Sequence, residues 1–87
     1  MMAANKVRGI RAALANNVEL AELARTHNNA QVLSIGSRMN TEDEAKAMVE
    51  TFLTTPFSGD DRHARRLAMV DRYEENGELP PIPAVEG

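Results

Sequence analysis

Apolar positions along this chain fall into short runs and longer helical stripes. Ile10-Arg11-Ala12-Ala13-Leu14-Ala15 is short, mostly apolar and bounded by Gly9 and Asn16, which suits a buried strand despite its alanines. Asn16 or Asn17 can cap a helix running to about Thr26, with Val18, Leu20, Leu23 and Ala24 on its apolar side. His27-Asn28-Asn29 breaks that helix, and Gln31-Val32-Leu33-Ser34-Ile35-Gly36 reads as a second buried strand. Thr41 with Glu44 forms a capping box, and Ala45, Met48, Val49, Phe52 and Leu53 make the stripe of a helix that must stop before Pro56. Ser58-Gly59-Asp60-Asp61 offers a cap for a last helix reaching about Asn76-Gly77, with Leu67, Val70 and Tyr73 at spacings of three. Ahead of the first strand, residues 2–7 read as the last turn of a helix closed by Gly9.

The predicted order is helix, strand, helix, strand, helix, helix. Strands alternating with helices indicate α/β layers on a parallel sheet. Two strands make too small a sheet to cover these helices, so something else is expected to complete it. Residues 1–77 form the α/β part, and residues 78–87, beginning Glu78-Leu79-Pro80-Pro81-Ile82-Pro83, form an extended tail.

Composition narrows the class. Eighty-seven residues allow one domain at most, near the lower limit for an unaided core. With only two Phe, one Tyr and no Trp, that core must be aliphatic. There is no cysteine, which excludes disulfides and thiolate metal sites. No apolar run approaches a membrane span and the start lacks a signal-peptide pattern, so a cytoplasmic protein is expected. Residues 1–40 hold five Lys/Arg against two acids, and residues 41–87 hold five against eleven. An acidic chain is poorly suited to a nucleic-acid backbone, but small anions can bind where arginines cluster.

Such a cluster is Asp61-Arg62-His63-Ala64-Arg65-Arg66. Arg62 and Arg66 lie four apart on one helix face, in the first turns, where the helix dipole disfavours cations. A phosphate held between them near free N–H groups would offset that cost. The competing reading is a solvated face whose charge Asp60, Asp61 and Asp71 balance. His27 ends a helix and can move protons near neutral pH, while Asn28 can bond a sugar hydroxyl; alternatively His27 is a cation at a helix C-terminus capped by asparagine. Arg38 follows the second strand, where open parallel sheets gather ligands, or it is a surface loop residue. A helix-turn-helix over Glu19–Ser34 conflicts with the strand pattern and the charge. Two histidines without metal-ligand spacing make a metal site unexpected.

Several runs together resemble the type B ribose-5-phosphate isomerases and the wider group that includes galactose-6-phosphate isomerase subunits. They are Ala3-Ala4-Asn5-Lys6-Val7, Gly9-Ile10-Arg11-Ala12-Ala13-Leu14 and His27-Asn28-Asn29-Ala30-Gln31-Val32-Leu33. Then follow Gly36-Ser37-Arg38-Met39, Phe52-Leu53-Thr54-Thr55-Pro56-Phe57-Ser58-Gly59, Arg62-His63-Ala64-Arg65-Arg66 and the tail Gly77-Glu78-Leu79-Pro80-Pro81-Ile82-Pro83-Ala84.

The resemblance implies the C-terminal part of a Rossmann-like α/β/α sandwich, with about two strands of its parallel sheet. It implies interconversion of aldose and ketose phosphates, most simply ribose 5-phosphate and ribulose 5-phosphate, without metal or organic cofactor. His27 matches the ring-opening histidine, Asn28 a substrate-binding asparagine, and Arg38, Arg62 and Arg66 the substrate- and phosphate-binding arginines. Family members are nearly twice as long. The family's glycine-rich loop and its Cys or Glu base are expected just ahead of the Ala3-Ala4-Asn5-Lys6 segment and are not among these residues. The family is dimeric with shared sites, so a homo-oligomer or a complementary N-terminal half is an expected partner. On these grounds the chain reads as an isomerase segment inactive alone, as half of a split isomerase, or as a non-catalytic assembly or phosphate-binding module.

Overall fold

In the computed structural model, residues 1–36 and 39–79 are described. Two four-residue strands, β1 (Ala12–Ala15) and β2 (Val32–Ile35), pair in parallel with Ala12 opposite Val32 and Ala15 opposite Ile35. Helix α1 (Val18–Thr26) connects them, followed by α2 (Glu42–Thr54) and α3 (Asp61–Asn76). The opening segment is a single 3-10 turn at Ala4–Lys6 rather than the end of an α-helix. The Asn5 side chain there accepts from the Ala12 N–H at 2.8 Å and donates to the Ala12 carbonyl at 3.0 Å. Its carboxamide thus mimics a strand's backbone along the outer edge of β1, satisfying groups that would otherwise lack a partner.

Capping follows the sequence closely. Asn17 Oδ1 accepts from the Leu20 N–H at the start of α1. Thr41 and Glu44 exchange both capping-box bonds at the start of α2. Gly77 ends α3 with φ of 72°, a left-handed conformation that glycine adopts without steric cost.

Both strands are expected to be buried; in β1 Leu14 is exposed beside the buried Ala15, and all four residues of β2 are partly buried. Ala13, Ala15, Leu33 and Ile35 pack against α1 and α2, and two small buried clusters form with Ala21 and Ala24 of α1, Met48 and Phe52 of α2, and Ala30 of the connection into β2. Four of the six buried apolar residues among the described residues are alanines, Ala15, Ala21, Ala24 and Ala30. On the opposite face Leu14 is 59% exposed. No described helix covers that face as α1 and α2 cover the other, as expected of a sheet that needs completion.

The predicted stripe of α2 holds only in part. Met48 is fully enclosed and Phe52 buried, but Val49 and Leu53 are exposed, Leu53 at 77%. Positions 48 and 52 lie four apart on one line, whereas 45, 49 and 53 form a neighbouring line turned away from the sheet. In α3, Val70 and Tyr73 are likewise exposed. The side of α3 that meets the body carries His63, Leu67, Asp71 and Glu74 instead. Asp71 pairs with Arg11 at 3.2 Å and Glu74 accepts from the Gly9 N–H.

Candidate functional site

The site starts from how α1 ends. Asn29 takes φ of 46°, a left-handed conformation that asparagine tolerates better than most residues. The turn is closed by Asn29 N–H to Arg25 carbonyl at 3.2 Å and Ala30 N–H to Ala24 carbonyl at 3.0 Å. Arg25 secures it from below. Its Nη1 donates to Asn29 Oδ1 at 3.0 Å and to the Ala30 carbonyl at 2.7 Å, and its Nε donates to the Thr55 carbonyl at 3.0 Å. The guanidinium also lies over the Phe52 ring, 5.8 Å from its centroid. His27 and Asn28 are therefore presented outward on a rigid corner, and both are exposed.

The loop between α2 and α3 docks onto the same corner, with the Ser58 N–H donating to the Thr26 carbonyl at 3.2 Å. This seats the start of α3 over the end of α1. The His63 ring reaches across to the His27 ring, centroids 4.1 Å apart and planes tilted by 32°. His63 Nδ1 lies 3.0 Å from Ser58 Oγ, and Asp60 Oδ2 stands 3.9 Å away. Only 5% of His63 is exposed, and burial holds its pKa below the ordinary imidazole value. Charge on His27, Arg62 and Arg66 pushes the same way, and Asp60 opposes it.

Arg62 and Arg66 are both exposed. On the helical wheel they fall on the same side of His63, about 100° and 60° away, whereas Arg65 points elsewhere. Asp60 is the N-cap residue of α3 but its side chain makes no capping bond, contrary to the expected cap. Its own N–H instead donates to Ser58 Oγ at 3.3 Å, which turns the residue toward the loop. The start of α3 thus combines two arginines with the Asp61 and Arg62 N–H groups, which the Asp60 side chain does not cap. The His63 N–H donates to the Asp60 carbonyl at 3.0 Å. The arrangement favours an anion.

The structure brings His27, Asn28, Arg62 and Arg66 to one region. Asn28 also borders a cavity of about 390 Å³ between β1 and α3, shared with Ile10, Arg11, Leu67 and Asp71. Arg38 lies outside the described residues. Gly36, two residues before it, follows the carboxyl end of β2, whereas His27 sits at the amino ends of the strands. A helix joining parallel strands runs back along them, so the end of α1 returns to the amino side, about 13 Å from the other end of a four-residue strand. Among the described residues no group of three or more His, Asp or Glu side chains is placed to hold a metal ion.

The sequence reading overlooks His63 and Ser58 as site residues. The signal is present in the helix spacing, since stepping back four residues from Leu67 along the inward line of α3 arrives at His63. Ser58 reads there only as part of a helix cap.

The family profile described as Ribose/Galactose Isomerase matches residues 1–70. Ribose-5-phosphate isomerase B of Mycolicibacterium paratuberculosis is 52% identical over 86 residues, covering 99% of this chain and 54% of that protein. Among solved structures, type B ribose 5-phosphate isomerase from Leishmania infantum superposes with a TM-score of 0.84 at 43% identity, over 88% of this chain and 50% of that one. The Mycoplasma genitalium ribose-5-phosphate isomerase B, solved with bound ribulose-5-phosphate, gives 0.83 at 47% identity, over 86% and 49%. The chain spans about half the length of the relatives it matches.

Proposed function

The chain belongs to the ribose/galactose isomerase family, and from that premise we propose that it carries the phosphate-holding and ring-opening part of a ribose 5-phosphate–ribulose 5-phosphate isomerase. The observation that carries this reading is the seating of α3 against the end of α1, which puts Arg62 and Arg66 beside the corner that presents His27 and Asn28. In this reading Arg62, Arg66 and the α3 N–H groups hold the phosphate. Asn28 bonds a sugar hydroxyl, and Arg38 belongs to the substrate-binding set.

His27 acts on the closed sugar. It delivers a proton to the ring oxygen as the bond from that oxygen to C1 breaks, while the C1 hydroxyl passes its proton to water and C1 becomes the aldehyde carbon. The later transfer of a proton between C2 and C1 needs a base and donors to the enediolate oxygen. By the resemblance those groups belong to the other half of the family's fold. The uncovered sheet face at Leu14 suits association with that half as a separate polypeptide.

The test measures ribose 5-phosphate binding and isomerisation by the 87-residue chain, alone and mixed with the N-terminal half of a type B isomerase. Binding by the chain alone and turnover only in the mixture are expected. Turnover by the chain alone would overturn the assignment of the base, and absence of sugar-phosphate binding throughout would overturn the reading itself. A non-catalytic assembly or phosphate-binding module, favoured by the same bare sheet face, would bind without turnover in both.

A further inference from the structure

We propose that His63 is a positioning residue for His27, setting the plane of its imidazole by ring stacking from a buried seat fixed by Ser58. The inference rests on the reading of His27 as the proton carrier, and it concerns how an exposed side chain is made to hold one orientation.

An exposed histidine at the end of a helix ordinarily turns freely about both of its side-chain bonds. A proton donor that must meet one sugar oxygen needs a fixed ring. Among the described residues the His27 ring has no hydrogen-bond partner, and its ring contact is the face of His63 at 4.1 Å. His63 can serve as that face because it does not itself move. It is buried, its Nδ1 is tied to Ser58 Oγ at 3.0 Å, and Ser58 is anchored through its backbone to Thr26, one residue before His27. The chain from Thr26 through Ser58 to His63 and back to His27 is a closed loop of short contacts.

Burial and charge keep His63 neutral. Its pKa is lowered by burial first, and then by the nearby His27, Arg62 and Arg66, with Asp60 opposing them. His63 therefore favours the uncharged ring, a face on which the exposed His27 rests.

Proton NMR on the full 87-residue chain tests this without any sugar phosphate. The readouts are the His27 Hε1 and Hδ2 shifts, the cross-relaxation between the two rings and the pH titration of the His63 ring. His63→Phe keeps an aromatic face and His63→Leu keeps buried apolar volume without one. We expect inter-ring cross-relaxation in the wild type, and a displacement of the His27 ring protons that His63→Phe preserves and His63→Leu abolishes. In the wild type His63 should gain its proton only below the ordinary imidazole range. Ser58→Ala should weaken the inter-ring signal, and it supplies the comparison where His63→Leu loses the native amide spectrum. Unchanged His27 ring protons in His63→Leu and in Ser58→Ala would overturn the proposal. Failure to bind ribose 5-phosphate would remove the proposed function and leave these ring measurements as they stand.

Discussion

Arg25 donates through Nε to the Thr55 carbonyl at 3.0 Å, joining the last turn of α1 to the segment that leads into α3. The same guanidinium holds Asn29 Oδ1 and the Ala30 carbonyl, so one side chain fixes both the corner carrying His27 and its distance from α3. Arg25→Ala removes these charge-assisted bonds and leaves partly buried carbonyls without their donor. A loss of about 2–3 kcal/mol is expected in urea unfolding. Arg25→Lys should recover only part of it, because a single ammonium cannot reproduce the planar fork. A change below about 0.5 kcal/mol in Arg25→Ala would show that the corner is held by other contacts.

What the sequence reveals follows from which interactions are local. The Asn17 and Thr41–Glu44 caps, the stop before Pro56 and the Gly77 terminus depend on residues within one turn of each other, and all are present. Burial is less legible. Leu14 and Leu53 satisfy an apolar pattern but lie exposed, because periodicity marks an apolar face without showing whether another element covers it. The role of Arg25 is hidden altogether, since its partners Thr55 and Ala30 meet it only when α1, α2 and β2 converge. His27 and Arg62 stand out as chemistry, but their shared location depends on the His27–His63 contact, which joins residues far apart in the chain.

The two lines of α2 separate cleanly by mutation. Met48 is fully enclosed beside Ala15 and Ala21, so Met48→Ala leaves a cavity and should cost about 2–5 kcal/mol in urea unfolding. Leu53 is 77% exposed, and Leu53→Ser should change stability by no more than about 0.5 kcal/mol. Equal costs at the two positions would mean that α2 is rotated from the orientation described.

Stability should fall on mild acidification, and His63 supplies the reason. Its pKa in the folded chain is lowered from 6.5, so between that value and the folded one the unfolded chain binds more protons. Stability therefore is full above about pH 6.5 and declines as pH falls toward the folded pKa, below which this contribution is gone. Glu44 acts in a lower window. Its carboxyl is held below 4.5, mainly by the Thr41 backbone bond, and its contribution is lost as pH falls through that lowered value. Urea unfolding from about pH 2 to about pH 8 should show both steps, and His63→Phe should remove the upper one while leaving the lower one, below the ordinary carboxylate range of about 4. Persistence of the upper step in His63→Phe would assign it to another group.

Arg62 and Arg66 place positive charge where the α3 dipole is already positive. Without an anion their removal should not destabilise the chain, and Arg62→Ala or Arg66→Ala is expected to leave stability unchanged or raise it by up to about 0.5 kcal/mol. With a sugar phosphate the sign reverses. Each arginine offers charge-assisted bonds to a phosphate, and losing one should weaken ribose 5-phosphate binding roughly 10- to 100-fold, equivalent to about 1.5–3 kcal/mol. Calorimetric titration of both variants, paired with their unfolding curves, separates a binding role from a structural one. Weaker binding at unchanged stability is the expected result. Unchanged binding would mean that the α3 terminus does not hold the phosphate, and a matching loss of stability would mean that the arginines serve the fold.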